Sequence, residues 1–173
     1  LGVIFKLETT GNVYTKLIDF DGANYGANPQ ASFLEASDGN LYGLTRFGGT
    51  NNVGALFEYN YSGSSFTKLL DFDGANNGSE PIGNLIESTN GKLYGLTNTG
   101  GLNDFGVLFE YDYASPLYVK KHDFDGGLVG KNPSGGLALL SICYGATSTI
   151  LDTTVCDGTD FLFPDGSNAI NLQ

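Results

Sequence analysis

An all-β fold made of repeated four-stranded units is predicted by three observations. First, Asp71-Phe72-Asp73-Gly74 recurs at Asp19 to Gly22 and at Asp123 to Gly126, so the copies stand 52 residues apart. Leu41-Tyr42-Gly43-Leu44-Thr45 recurs as Leu93 to Thr97 and Gly48-Gly49 as Gly100-Gly101. Pro29, Pro81 and Pro133 keep the same interval, with no insertion between copies. A fixed period of this length marks an array of supersecondary units that bury their apolar faces against one another. Second, each unit carries four short strand signals bounded by Gly or Asn turns. Third, Gly fills 26 of 173 positions, and no stretch holds apolar residues at three-and-four spacing for three helical turns.

The chain enters on Gly2-Val3-Ile4-Phe5, the counterpart of Gly54-Ala55-Leu56-Phe57 and so the third strand of a unit. Tyr14 to Phe20 is the fourth, matched by Phe66 to Phe72. Leu85-Ile86-Glu87, Lys92 to Thr97 and Val107 to Tyr111 supply the strands of the following copy. Within Phe66 to Leu70 the alternation is imperfect, because Leu69 and Leu70 point to opposite faces. A strand covered on both sides predicts that pattern. Ser37-Asp38-Gly39-Asn40 and Ser88-Thr89-Asn90-Gly91 read as hairpin loops. Asp71 through Pro81 is too long for a hairpin and is expected to cross from the outer strand of one unit to the inner strand of the next.

Four strands per unit is the content of a β-propeller blade. The periodic part, residues 1–140, holds about 2.7 units, whereas closed propellers hold about four to eight. A partial ring is therefore expected, incomplete at its N-terminal end and belonging to a longer chain. Residues 141–173, where the beat is lost, are expected to form a short Cys-containing extension.

Apolar residues make up 40% of the chain and aromatic residues 13%, enough for a core, while charged residues reach only 16%. The net charge of −11, with eight basic residues spread through the chain, speaks against a nucleic-acid partner. Anionic membrane surfaces are disfavoured for the same reason. No run of about eighteen apolar residues is present to enter a bilayer as a helix.

The segment Leu93-Tyr94-Gly95-Leu96-Thr97, the Gly100-Gly101 pair and Gly106-Val107-Leu108-Phe109-Glu110-Tyr111, with Asn28-Pro29 and Asn132-Pro133 ahead of their strands, resembles the GloVer tandem repeat of bacterial secreted proteins. The double Gly after the second strand and the aromatic in the third are also similar to kelch blades, with Phe66 or Tyr118 near the place of the kelch Trp. Cys143-Tyr144-Gly145, Thr154-Val155-Cys156-Asp157 and Phe163-Pro164-Asp165-Gly166 resemble Cys-containing linkers of large Bacteroidota surface proteins. These resemblances imply an exported or cell-surface protein of a Gram-negative bacterium, in a family with no catalytic residue attached. They also imply an adhesin-like role, or passage as cargo through the type 9 outer-membrane secretion machinery. In such a protein Cys143 and Cys156, thirteen positions apart, are expected to form a disulfide.

The Asp-Phe-Asp-Gly copies invite a calcium reading, with Asp19, Asp21 and Asn24 as oxygen donors. A third acidic ligand and the bidentate Glu are missing, and Asp71, Asp73 and Asn76 repeat the deficit. Such Asp residues more often accept hydrogen bonds from their own turn. His122 stands where other copies carry Ile18 and Leu70, which favours packing over a base, and no Gly-x-Ser-x-Gly elbow accompanies it. Glu35 and Glu87 are period mates in a repeated strand. No catalytic residue, metal set or cofactor is therefore expected. Tyr25, Tyr59, Tyr61, Tyr111, Tyr113 and Tyr118 are read either as a stacking surface for a glycan or surface-protein ligand, or as packing between blades, the second favoured. Tyr59 and Tyr61, like Tyr111 and Tyr113, face the same way if their strands stay extended. The function expected is non-enzymatic display or adhesion. An enzyme on the same scaffold, acting on glycans, would need acids converging at one end of a channel.

Overall fold

A computed structural model describes residues 1–140 and, beyond them, the strand residues 160–162 and 170–171. The described residues are all-β. Strands β1 (Val3–Glu8) and β2 (Val13–Asp19) form a two-stranded sheet. Strands β3 (Leu34–Glu35), β4 (Leu41–Thr45), β5 (Ala55–Asn60) and β6 (Ser65–Asp71) form the first complete four-stranded sheet. The second consists of β7 (Ile86–Glu87), β8 (Leu93–Leu96), β9 (Val107–Asp112) and β10 (Leu117–Asp123). A three-stranded sheet follows from β11 (Ala138–Leu140), β12 (Asp160–Leu162) and β13 (Ile170–Asn171). Each strand pairs antiparallel with its neighbour in sequence, the up-and-down order that a propeller blade requires. β1, β5 and β9 start 52 residues apart, as do β2, β6 and β10, and β11 starts 52 residues after β7.

The core lies between successive sheets. Tyr42, Leu44, Leu56 and Phe72 of the first complete sheet meet Leu85, Leu93, Phe109 and Tyr111 of the second. One period earlier the same positions bring Ile4 and Phe20 against Phe57, Tyr59 and Leu41. One period later Tyr94, Leu96, Leu108 and Phe124 pack with Leu137. Alternation along each third strand produces this, since Leu56 and Phe57 point to opposite faces and serve opposite neighbours. The joint is marked by an edge-to-face phenylalanine pair, Phe20 on Phe57 at 5.4 Å and Phe72 on Phe109 at 5.5 Å. Such a pair contributes roughly 0.5–1.5 kcal/mol beyond its buried area.

The imperfect alternation at Leu69-Leu70 has a different cause from the one the sequence suggests. Leu56 pairs with Leu70 and Phe57 with Lys68, so Leu69 is the extra residue of a β-bulge. Leu17 is skipped in the same way between Ile18 and Lys16, and Lys121 between His122 and Lys120. Three bulges at one repeat position twist each outer strand alike.

The crossings between sheets are held by the double glycine. Gly48 has φ +77, and a Cβ there would meet Gly22 O at 2.4 Å; Gly100 has φ +78 with Gly74 O at 2.3 Å. Only glycine accepts both the left-handed backbone and this approach. It lets Gly49 N donate to Gly22 O, and Gly101 N to Gly74 O, both at 2.7 Å. Isolated bridges Ala27 to Phe47 and Ser79 to Thr99 complete each crossing.

Candidate functional site at the hairpin rim

The turns after β3 and β5 leave the same end of their sheet because successive strands are antiparallel, and the turns after β7 and β9 do likewise. The 36–40 turn closes with Ala36 N donating to Asn40 O at 3.0 Å, and the 88–92 turn with Ser88 N donating to Lys92 O at 2.9 Å. Ser37 links this rim to the second complete sheet. Its amide donates to Glu87 Oε2 at 2.8 Å, its hydroxyl donates to Glu87 Oε1, and the Tyr113 hydroxyl donates to the same Oε1 at 2.7 Å. Burial alone would push the Glu87 carboxyl up; the bonds from Ser37 and Tyr113 outweigh it and hold Glu87 below the usual carboxylate range.

Asp38 shares this rim. Tyr42 donates its hydroxyl to Asp38 Oδ2 at 2.8 Å, and burial, followed by this acceptor, raises the phenol. Glu58 pairs across the ladder with Tyr42. Its carboxyl is pushed up by burial and then by the Asp38 charge. In the second complete sheet Tyr94 donates to Glu110 Oε2 at 2.7 Å, with Lys92 at 2.9 Å and Lys121 at 3.3 Å from the same carboxylate. Burial opposes ionisation of Glu110, yet Lys92, Tyr94 and Lys121 together hold it low.

At the opposite end, the guanidinium of Arg46 donates through Nη2 and Nε to Glu80 Oε2 at 2.7 and 3.0 Å. Glu80 has φ 52, at the repeat position where Asn28 and Asn132 have φ 56 and 49. Asn tolerates the left-handed region and Glu does so at a cost. The ion pair accompanies that exception.

The aspartates of the Asp-Phe-Asp-Gly motif turn inward on their own loops. Asp21 Oδ1 accepts from the amides of Asn24 and Tyr25, both at 2.9 Å. Asp73 Oδ1 accepts from Asn76 at 2.9 Å and Asn77 at 3.0 Å. In the third copy Leu128 replaces the Asn, and Asp125 instead accepts from Gly127 N at 2.8 Å. Asp19 pairs with Lys16 at 2.6 Å, and Asp71 with Lys68 at 2.9 Å. Among the described residues no His, Cys, Asp and Glu groups are clustered to hold a metal ion.

His122 is partly buried, edge-to-face on Phe124 at 5.6 Å, and its buried Nε2 has no hydrogen-bond partner among the described residues. Glu35 and Glu87 diverge, since Glu35 is exposed while Glu87 is bound by Ser37. Cys143 and Cys156 lie outside the described residues.

The six tyrosines do not form one surface. Tyr59 and Tyr111 are buried in the joints between sheets, because their position faces the preceding sheet. Tyr61 and Tyr113 lie past the ends of β5 and β9, where the extended backbone that would align them with Tyr59 and Tyr111 has given way to a turn. Tyr118 donates to Asn77 O at 2.9 Å, and Tyr25 packs on Phe66 at 4.8 Å. What sequence reasoning missed is the pair Glu58 and Glu110. The signal was there in the copies: Asp38, Asn40 and Leu69 against Asn90, Lys92 and Lys121.

No curated protein matches the chain. Its sequence does fit the pattern described as the Gloeobacter/Verrucomicrobia repeat over residues 1–159. With the 52-residue units, their double glycines and their matching sheets on the same residues, the chain belongs to that repeat family.

Proposed function

We propose that the chain is part of a non-enzymatic β-propeller, exported to the cell surface, that displays a variable rim for adhesion or ligand binding. The observation that carries this is the contrast between joint and rim. Buried joint positions keep their residue character from copy to copy, as Leu56 and Leu108 or Phe72 and Phe124 do, whereas the rim residues Asp38 and Asn40 become Asn90 and Lys92. A rigid scaffold with divergent loops is the usual arrangement for recognition. The rim is rich in carboxylates and tyrosine hydroxyls, which suits a hydroxyl-rich glycan or a basic surface protein and disfavours anions. A glycan array is the direct test. Specific retention that Asp38→Asn or Tyr113→Phe weakens supports the proposal, and uniform absence of retention across glycans and basic surface proteins refutes it.

A second function is favoured by Phe163-Pro164-Asp165-Gly166 and the cysteine segments, which resemble linkers of Bacteroidota surface proteins. In it the kelch-like array is cargo of the type 9 secretion machinery. Co-purification from native membranes with outer-membrane translocon components is its expected outcome, and recovery without them counts against it.

A further inference from the structure

The rims of the two complete sheets carry different charge around one backbone site. Glu58 and Glu110 stand at the same repeat position, opposite Tyr42 and Tyr94. In the second complete sheet the ammoniums of Lys92 and Lys121 lie 2.9 and 3.3 Å from the two oxygens of Glu110, and Lys92 is 3.8 Å from Asp112. Two carboxylates there meet two ammoniums.

In the first complete sheet Asn40 and Leu69 stand where those lysines are, Asn60 where Asp112 is, and Asp38 where Asn90 is. Asn40 turns its side-chain amide to Asp38 at 3.0 Å, and Tyr42 gives its hydroxyl to the same Oδ2 at 2.8 Å. Glu58 is partly buried, and among the described residues it accepts no hydrogen bond and pairs with no cation. Two carboxylates are kept and both ammoniums are lost. Glu87, across the joint, also feels the Asp38 charge. A partly buried carboxylate without a counterion carries a cost that a bound cation relieves.

We propose that the rim of the first complete sheet binds a lysine side chain of a partner protein, the ammonium taking at Glu58 and Asp38 the place that Lys92 takes at Glu110 and Asp112. The acids alone would not specify this ligand. Lys92 does, because it is a primary ammonium already seated on the same backbone site one period later. Leu69 is partly buried against the apolar joint and gives the four-carbon stem a wall. A divalent metal fits less well, since no group of three acids able to hold one is clustered among the described residues. Burial and then the Asp38 charge push the Glu58 carboxyl up, so an arriving ammonium is expected to pull it back down. This rests on the display reading and narrows its basic ligand to one residue type at one joint.

The test is an NMR titration of Leu1–Gln173 at low ionic strength with the peptide acetyl-Gly-Lys-Gly-amide, the Nε-acetylated form of that peptide, and glucosamine. Saturable one-site shifts at Asp38 and Glu58 are expected from the lysine peptide and none from its acetylated form, which has lost the charge. The Glu58 carboxyl carbon is expected to titrate at lower pH with the lysine peptide bound. Glu58→Gln is expected to weaken binding roughly 10-fold or more. Asn40→Lys combined with Leu69→Lys, which transplants the second sheet's own cations, is expected to abolish it. Asp21→Asn removes the same charge in a crossing between sheets and is expected to leave it unchanged. Retained strand signal in circular dichroism qualifies each variant, and the wild-type arms decide by themselves if a variant does not fold. Absence of saturable shifts, equal shifts from the acetylated peptide, or tighter binding of glucosamine overturns the proposal. So does binding unmoved by Glu58→Gln or by the lysine transplant, or weakened as much by Asp21→Asn. A rim that retains glycans or basic proteins while ignoring the Glu58 and transplant variants leaves display standing and sinks this assignment alone.

Discussion

Glu58 on β5 and Glu110 on β9 occupy one repeat position in the two complete sheets, each opposite a tyrosine on the adjoining strand. Glu110 takes the hydroxyl of Tyr94 and is flanked by Lys92 and Lys121. At the counterpart positions the first sheet has Asn40 and Leu69, and Tyr42 gives its hydroxyl to Asp38 instead. Glu58 therefore faces a like charge, with no cation paired to it among the described residues. Three exchanges around one backbone site convert an ion-paired knot into an acid without a paired cation among the described residues, while the fully buried joint positions Leu56 and Phe72 keep their counterparts Leu108 and Phe124. The lesson is that geometry common to the copies is set by the joint, and electrostatics are set copy by copy.

The comparison is sharpened most strongly at the joints. Phe57→Ala and Phe109→Ala are each expected to lower unfolding free energy by about 3–5 kcal/mol in denaturant titration. Values differing by more than about 1 kcal/mol would break the equivalence of the two sheets. Next comes Glu110→Gln, expected to cost about 1.5–3 kcal/mol through its charged hydrogen bonds, whereas Glu58→Gln is expected to be neutral or stabilising at neutral pH. His122→Leu places in the second sheet the residue found at Leu70, and removing the unpaired Nε2 is expected to gain about 1–3 kcal/mol.

The two glutamates also titrate in opposite senses. Glu58, raised in the fold, contributes stability that is fully present below the unfolded value of about 4.3 and is lost as pH rises through its folded value. Glu110, lowered in the fold, contributes stability present above about 4.3 and lost as pH falls through its folded value. Stability curves of the two Gln variants against pH are expected to flatten opposite limbs, and flattening of the same limb would contradict the assignment. The smallest effect is at the rim, where Tyr113→Phe removes a bond to Glu87 and is expected to cost up to about 1 kcal/mol. Tyr61→Phe, at the counterpart position, is expected to change melting by nothing measurable.

Much of the architecture was legible because the period is rigid. The offset of Asp19, Asp71 and Asp123 locates every outer strand to within a residue, and the Ser37 to Asn40 loop is read correctly from Asn and Gly. The bulge at Leu69 was not legible, because an unpaired residue and a strand buried on both faces leave the same trace in an apolar run. Nor was the division of the tyrosines. Tyr59 and Tyr61 satisfy period-two spacing, but the strand ends at Asn60, and the turn that follows decides exposure. The rim network was hidden for another reason. Ser37, Glu87 and Tyr113 lie 50 and 26 residues apart in sequence, and only the stacking of sheets brings them together.

Because the apolar clusters span neighbouring sheets, the stretch of sequence that can be duplicated or deleted without penalty is the whole 52-residue unit. Slippage by one such length would leave the buried positions of every seam with apolar residues of the same kind on either side, as Leu56 and Leu108 or Phe72 and Phe124 are, so the array can grow or shrink in the genome with little redesign of its core. Slippage by any fraction of it would leave a raw seam, which selection would then remove.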